Sequence, residues 1–273
     1  MMCGNNSPTQ SGDHTTEFGI CSGPEIAEAA RAAGFTFIDA NFGDLVLPAA
    51  SQAEFEDAYA ARYAGCALPV RNTNCLLPGG YAIAGPEANL PKAVAYCATG
   101  LGRAGRLGIK TICFGSGGAR KCPEGWPMDK AIAQIGDFVR ALAPVARAAG
   151  VKLVVEDLRT AETNTLNMSN DIRALIDDVG DPDVGILVDG YHWTLNGDTA
   201  EQIVRNGDRI FHTHVATTTN RRAPGEEPCD FSPFANALAQ AGYRGDMAVE
   251  GGIADKSAPA LRKVLDILRA AFK

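Results

Sequence analysis

The sequence lacks the features that mark secreted, membrane-spanning and nucleic-acid-binding proteins. Its eight cysteines include no CxxC pair and no regular spacing, which is typical of reduced, packed thiols. No apolar run approaches the length of a membrane-spanning helix. The formal net charge of -7 argues against nucleic acid, because phosphate backbones are bound mainly through Lys and Arg. We therefore expect neither a membrane nor a nucleic acid as a partner.

The first residues also lack the apolar segment that a secretory signal peptide needs. Residues 1–16 are rich in polar and turn-forming types, so we expect them to form a flexible leader. Residues 17–273 are then expected to form one domain, and the protein is expected to be cytoplasmic. A chain of 273 residues lies within the range in which α/β barrels fold as a single domain.

A helical stretch, a glycine and a short apolar run recur along the chain. Short runs that are apolar throughout favour parallel strands buried on both faces. The predicted strands are 18–21, 35–38, 68–72, 111–114, 153–155, 186–188, 210–211 and 247–249. Eight strands alternating with helices predict an α/β fold, a single (β/α)₈ TIM barrel, which usually takes about 250 residues. An open doubly wound sheet is the alternative.

Polar residues follow each of the last four predicted strands. Glu156, Asp189 and Glu250 come directly after an apolar run, and His212 and His214 follow another. The carboxyl ends of barrel strands meet at one mouth, where active sites lie. We expect His214 rather than His212 to reach this mouth, because it lies nearer to the carboxyl end of its strand. The pattern therefore predicts two Glu, one Asp and one His close together.

This set of side chains is typical of a metal site. Three carboxylates in a small volume need a positive counter-charge, and a divalent cation would supply it. Mostly oxygen ligands with one imidazole suit Mn²⁺ or Mg²⁺ and tolerate Co²⁺ or Zn²⁺. A single acidic residue at a strand end is more often solvated. Three acidic residues and one histidine at the ends of successive strands favour a common role. We expect one divalent ion per chain, with Mn²⁺ as the first choice.

Longer stretches around these residues carry a resemblance. They are Glu156–Asn164, Val188–His192, His212–His214, Asn220–Gly225 and Val249–Gly252, with softer similarity at Cys21–Ala27 and Phe114–Arg120. In order and spacing they resemble the sugar phosphate isomerase/epimerase family. That family has a xylose-isomerase-like TIM barrel and includes the ketose 3-epimerases. The resemblance extends over essentially the whole chain after the leader.

The resemblance implies roles for individual residues and a small carbohydrate as substrate. The four metal ligands that it implies are Glu156, Asp189, His214 and Glu250. The catalytic residues that it implies, which remove and return a proton, are Glu156 and Glu250. The residues that it implies for contact with substrate oxygens are Glu162, His192 and Arg221. The sequence leaves open whether the protein forms a homo-oligomer.

Two positions depart from the family pattern. Asp39 stands in the second strand where relatives often carry Glu. The stretch between His214 and Arg221 reads Val-Ala-Thr-Thr-Thr-Asn and lacks the acidic residue that epimerases tend to have there. Both departures bear on the choice of sugar and leave the four metal ligands intact.

The chemistry implied by the resemblance is proton transfer next to a metal-bound carbonyl, through an enediolate. Return of the proton to the opposite face gives an epimer, and return to the neighbouring carbon gives an isomer. Loss of a β-hydroxyl would instead make the protein a lyase or dehydratase of a keto-cyclitol or dehydroshikimate-like acid. A metal-dependent endonuclease of this kind would need a cluster of several metal ions with more histidine ligands, and a basic surface for DNA. A total of four histidines and a negative net charge disfavour it. A non-catalytic sugar-binding barrel is disfavoured by the intact ligand set.

A glycine-rich segment, Gly115–Gly118, follows the fourth predicted strand. We expect it to form a tight turn between strand and helix. The alternative is that its backbone N–H groups bind an anion.

Overall fold

The strands close into a barrel in the computed structural model, which describes residues 16–272. All pairings are parallel, each strand pairs with the next along the chain, and β1 pairs with β8. The strands are β1 (Phe18–Cys21), β2 (Phe37–Asn41), β3 (Val70–Asn74), β4 (Thr111–Phe114), β5 (Lys152–Glu156), β6 (Val184–Asp189), β7 (Ile210–Val215) and β8 (Met247–Val249). The TIM barrel prediction is confirmed, and the β1–β8 pairing rules out the open sheet. The predicted leader, apart from Thr16, lies outside the described residues.

Helices surround the barrel and cover its outer face. They are α1 (Ala27–Ala33), α2 (Phe42–Val46), α3 (Gln52–Arg62), α4 (Leu90–Arg106), α5 (Gly117–Arg120), α6 (Met128–Ala149), α7 (Ser169–Val179), α8 (Gly190–Asn196), α9 (Ala200–Asn206), α10 (Ser232–Gln240) and α11 (Ala258–Ala271). Two 3₁₀ turns, Pro24–Ile26 and Gly207–Arg209, complete them. None of these helices is both long and apolar enough to span a bilayer, as far as residues 16–272 are concerned.

The last helix shows how the sequence pattern produces this packing. Leu261, Val264, Leu265 and Leu268 recur at helical spacing, and all four are buried against the core. Helix α1 packs on α11. The residue that caps its C-terminus, Gly34, has a φ of 101°. A residue with a Cβ is strained at that angle, so glycine is favoured there.

Polar residues extend several strands beyond the predicted apolar runs. The second strand was predicted over residues 35–38 and is found at Phe37–Asn41, and the third is shifted from 68–72 to Val70–Asn74. Both strands extend past their predicted ends because Asp39 and Asn72 face each other inside the barrel, where Asn72 Nδ2 donates to Asp39 Oδ1 at 2.9 Å. A polar side chain with a partner can lie inside a strand that apolar patterning would end early.

A small apolar cluster of Cys113, Val154 and Leu187 is separate from the main core between strands and helices. These three residues come from β4, β5 and β6, whose central residues are buried on both faces. We interpret the cluster as packing inside the barrel, which is a filled core and not a pore. The polar site described next lies at the carboxyl ends of these strands.

Candidate active site and metal centre

The four predicted metal ligands converge at the carboxyl ends of neighbouring strands. Glu156 and Asp189 are the last residues of β5 and β6, His214 lies in β7, and Glu250 follows β8 directly. One donor atom of each side chain lies within 4.8 Å of the donor atoms of the other three. His214 Nδ1 is 3.8 Å from Glu156 Oε1 and 3.3 Å from Glu250 Oε2. The barrel thus brings together all four residues of the strand-end pattern.

Two donor atoms of this cluster, Glu156 Oε1 and His214 Nδ1, are buried and have no hydrogen-bond partner. A buried polar atom without a partner costs about 1–3 kcal/mol, so two of them side by side need an explanation. A divalent cation fits both atoms. Carboxylate oxygens with one imidazole form a donor set that suits Mn²⁺ or Mg²⁺. The residues present therefore fit the ion that the sequence predicts.

Arg221 supplies positive charge beside the carboxylates. Its Nη2 donates to Asp189 Oδ2 at 3.0 Å and also to Glu250 Oε2. Burial favours a higher pKa for Glu250, but His214 and Arg221 outweigh it and lower this pKa to about 2. Burial raises the pKa of Asp189, and Arg221 opposes that shift. Glu250 is therefore ionised at neutral pH, as a metal ligand or a proton acceptor must be.

The three predicted substrate contacts lie beside the cluster. Arg221 Nη1 is 4.0 Å from Glu162 Oε1, and His192 Nε2 is 3.6 Å from Asp189 Oδ2. The backbone N–H of Arg159 donates to His192 Nδ1 at 3.2 Å, and burial lowers the pKa of His192. The neutral ring therefore carries its proton on Nε2, which is buried without a partner. This N–H therefore faces the carboxylate cluster, 3.6 Å from Asp189 Oδ2 and 4.0 Å from Glu156 Oε1.

A family model described as "Xylose isomerase-like TIM barrel" matches residues 27–271. The chain belongs to this family. Membership of the xylose isomerase-like family agrees with the resemblance that the strand-end motifs indicate.

Several curated relatives are named as 3-epimerases of ketoses. D-psicose 3-epimerase of Agrobacterium fabrum is 28% identical over 134 residues, which are 46% of each chain. L-ribulose 3-epimerase of Methylomonas sp. is 29% identical over 133 residues, which are 48% of this chain and 46% of the relative. The chain thus matches about half the length of these curated relatives.

Solved structures of similar fold cover nearly the whole barrel. A crystal structure of D-psicose 3-epimerase in the presence of D-fructose has a TM-score of 0.79 at 20% identity, covering 94% of this chain and 99% of that one. The apo form of 3-keto-D-glucoside 4-epimerase from E. coli has a TM-score of 0.75 at 25% identity, covering 94% and 100%. At 20% identity the first of these shows the fold alone.

Residues from the first half of the barrel also shape this xylose isomerase-like site, and the strand-end pattern missed them. The thiol of Cys113, in β4, donates to Glu156 Oε2 at 3.2 Å. Asn74, the last residue of β3, donates from Nδ2 to Glu250 Oε1 at 3.5 Å. Like the predicted late ligands, Asn74 lies at the carboxyl end of its strand, a position that the strand-end pattern considered only for the last four strands.

The buried guanidinium of Arg120 was also missed. It is fully buried, and its Nη2 donates to the backbone oxygen of Glu156 at 2.7 Å while Nη1 donates to that of Phe114 at 3.3 Å. Burial lowers the pKa of Arg120 to about 10, so it remains charged at neutral pH. Arg120 therefore fixes the backbone at Glu156, the first of the predicted metal ligands, and no local sequence signal identifies it.

The glycine-rich segment agrees with the tight-turn prediction. Gly117 begins the single-turn helix α5, and Ser116 Oγ accepts a hydrogen bond from the N–H of Leu77 at 2.9 Å. A Cβ on Gly115 would lie well within 3.0 Å of Glu156 Oε2. The glycine at this position leaves room for a predicted metal ligand.

Proposed function

We propose that the protein is a divalent-metal-dependent carbohydrate epimerase that moves a proton at the carbon next to a substrate carbonyl. The observation that carries this proposal is the convergence of Glu156, Asp189, His214 and Glu250 in a barrel of this family. The two glutamates can exchange protons as well as hold a cation. The names of the curated relatives support a ketose as substrate.

The proposed reaction needs a group that polarises the substrate carbonyl and side chains that carry the proton. A divalent ion at these residues would polarise a substrate carbonyl and so acidify the adjacent C–H bond. Glu250, kept ionised by His214 and Arg221, is proposed to take the proton. Glu156 is proposed to act on the other side of the substrate. Its Oε2 accepts from Cys113, which leaves Oε1 without a protein partner.

Three further side chains are proposed to orient the substrate. The Nε2–H of His192 and the guanidinium of Arg221 offer donors to carbonyl or hydroxyl oxygens. Glu162 offers an acceptor, and its Oε1 is held by Arg159 Nε at 2.9 Å. A sugar alternates donors and acceptors along its chain, so this mixed set suits a polyhydroxylated substrate better than an apolar one.

Epimerisation is favoured over the other outcomes of the same first step. The relatives that match this chain are named as 3-epimerases, and a structure of similar fold is named as a 4-epimerase. These names support return of the proton to the same carbon. They give no support to the dehydration or the DNA cleavage considered from the sequence.

The test is deuterium exchange by the full-length protein. The protein is stripped of metal with a chelator, reloaded separately with Mn²⁺, Mg²⁺, Co²⁺ or Zn²⁺, and incubated in D₂O with D-fructose, D-psicose, D-tagatose or L-ribulose. We expect one ion per chain by elemental analysis, together with exchange at one substrate carbon that requires the ion. Glu250→Gln and Glu156→Gln should each lower exchange by about 100-fold or more, because each removes a proton carrier.

The matched control is Glu87→Gln, which changes an exposed glutamate outside the cluster and should exchange like the wild type. Exchange that continues in the chelated protein contradicts the metal dependence. Undiminished exchange in Glu250→Gln contradicts the proton-transfer assignment. Loss of a hydroxyl from the substrate, seen by mass, would show a dehydratase instead.

A further inference from the structure

Asp39 links two histidines of β7 inside the barrel, although it belongs to β2. Its Oδ2 lies 2.6 Å from His212 Nε2 and 3.4 Å from His214 Nε2. All three side chains are at most 2% exposed. At this burial the nitrogens must find their partners within the protein. Asp39 is the oxygen acceptor that both of them face, and the thiol of Cys21, a much weaker partner, lies 3.8 Å from His214 Nε2.

The contact decides which nitrogen of His214 is free. A carboxylate accepts hydrogen bonds and cannot donate one when ionised, so His214 carries a proton on Nε2 where it faces Asp39. A cation binds the neutral ring, and in that form the lone pair is then on Nδ1. Nδ1 is the buried, unpartnered atom that faces Glu156 and Glu250.

We propose that Asp39 is a positioning residue of the metal centre, which fixes the tautomer and the ring orientation of His214 so that Nδ1 is presented to the cation. The proposal rests on the metal site put forward under the proposed function. In metal sites generally, a ligating histidine donates its other N–H to an acceptor that sets its tautomer and raises its basicity. Asp39 supplies the strong, charged acceptor for His214 Nε2, and nothing in the strand-end pattern points to it.

A second layer holds the carboxylate itself in place. Asn72 Nδ2 donates to Asp39 Oδ1 at 2.9 Å, and Thr111 Oγ1 donates to Asn72 Oδ1 at 2.8 Å. These hydrogen bonds run from β4 through β3 to β2, and all of these side chains are buried. The oxygen that faces the histidines therefore has little freedom to turn away.

The same atoms could instead belong to a second metal site. Cys21, Asp39 and His214 offer donor atoms within 4.8 Å of one another, a set that a second cation would fit. Cys21 Sγ lies 3.8 Å from His214 Nε2. A nitrogen that ligates a second ion cannot also carry the proton that Asp39 accepts. Both oxygens of Asp39 already accept hydrogen bonds from the protein, Oδ2 from His212 at 2.6 Å and Oδ1 from Asn72 at 2.9 Å, which favours the positioning role over ligation of a second ion.

The test measures metal binding without substrate, so its result does not depend on whether the sugar chemistry is correct. Mn²⁺ binding to the metal-depleted, full-length protein is followed by calorimetry for wild type, Asp39→Asn and Thr73→Val. We expect Asp39→Asn to weaken Mn²⁺ binding by about 10- to 100-fold. Thr73 is a buried residue of β3 whose hydroxyl has no hydrogen-bond partner and takes no part in the layer that holds Asp39, so Thr73→Val should bind within about twofold of the wild type.

A second variant covers the case in which Asp39→Asn does not fold. Asn72→Ala removes only the amide that holds Oδ1, and should weaken Mn²⁺ binding by several-fold with a native circular dichroism spectrum. Unchanged Mn²⁺ affinity in Asp39→Asn overturns the proposal. If Asp39→Asn does not fold, unchanged Mn²⁺ affinity in a folded Asn72→Ala overturns it.

Co²⁺ gives an independent readout. With Co²⁺, the wild type should bind one ion per chain and show no thiolate-to-cobalt charge-transfer band. Asp39→Asn should show an altered ligand-field spectrum, because the imidazole is no longer held in one orientation. Two ions per chain, with a charge-transfer band that Cys21→Ser abolishes, would assign these residues to a second metal site and overturn the positioning role.

Discussion

The backbone of Gly115 lies against the carboxylate of Glu156, so close that a Cβ on the glycine would overlap Oε2. We predict that Gly115→Ala displaces this carboxylate. Glu156 ends its strand and is held through its backbone by Arg120, so the side chain has to yield. Mn²⁺ affinity and exchange activity should each fall by at least about tenfold, since the loss of one metal contact is worth more than 1.4 kcal/mol.

The control for this prediction is Gly118→Ala. Gly118 is exposed, and nothing lies within 4 Å of a Cβ placed on it. That variant should bind Mn²⁺ as the wild type does. Equal affinities in the two alanine variants would show that the Gly115–Glu156 contact has no bearing on the site.

The ionisation of Glu250 predicts how the stability of the metal-free protein depends on pH. Its pKa lies at about 2 in the folded protein against 4.5 as the ordinary value, despite burial, because of His214 and Arg221. A lowered pKa stabilises the fold fully above the ordinary value, and this stabilisation is lost as the pH falls towards the folded value. Glu250→Gln should therefore lose less unfolding free energy than the wild type between pH 5 and pH 3. Urea denaturation at both pH values measures this; parallel losses would contradict it.

Local patterns were enough to predict the barrel and its late strand-end residues. Glu156, Asp189 and Glu250 each follow an apolar run, and the carboxyl ends of parallel strands must meet at one mouth. His214 required one further step, the choice of the histidine nearer to the strand end. The expected roles of these residues stay predictions until metal binding and exchange are measured.

Contacts across the barrel could not be predicted in this way. Asp39 and His212 are 173 residues apart in the chain and meet only because the sheet closes. A signal was present, since Asp39 interrupts an apolar run of a strand, and a buried acid needs a partner. Which partner it takes depends on strand register, which a single sequence does not reveal. The cytoplasmic location and the leader likewise stay predictions.

The core of the last helix offers a test that separates stability from function. Leu265 of α11 is fully buried in the main hydrophobic core, and Leu265→Ala should lower the unfolding free energy by about 2–5 kcal/mol, because it leaves a cavity. Lys263→Ala on the exposed face of the same helix should change it by less than about 0.5 kcal/mol. Folded Leu265→Ala should bind Mn²⁺ normally. A large loss of Mn²⁺ affinity would mean that this distant packing shapes the metal site.

Arg221 is the residue for which charge and position make the most specific prediction. It contacts Asp189 and Glu250 through Nη2, while its Nε is buried and has no partner. It also adopts a φ of 52°, an uncommon angle for a residue with a Cβ. Such strain persists only where surrounding contacts hold it, which here are the two carboxylates and the Tyr191 ring, 5.0 Å from the guanidinium carbon.

We expect Arg221→Gln to lower kcat/KM for the ketose by about 10- to 100-fold, because charge-assisted hydrogen bonds are worth about 1.5–3 kcal/mol each. Arg221→Lys keeps the charge but lacks the planar fork, so it should recover only part of the loss. The neighbouring Arg222 is exposed, and Arg222→Gln should stay close to the wild type. The Mn²⁺ affinity of Arg221→Gln should not fall, because a cation that opposes metal binding has been removed. A fall in Mn²⁺ affinity with unchanged KM would make Arg221 a support of the metal ligands and not a substrate contact.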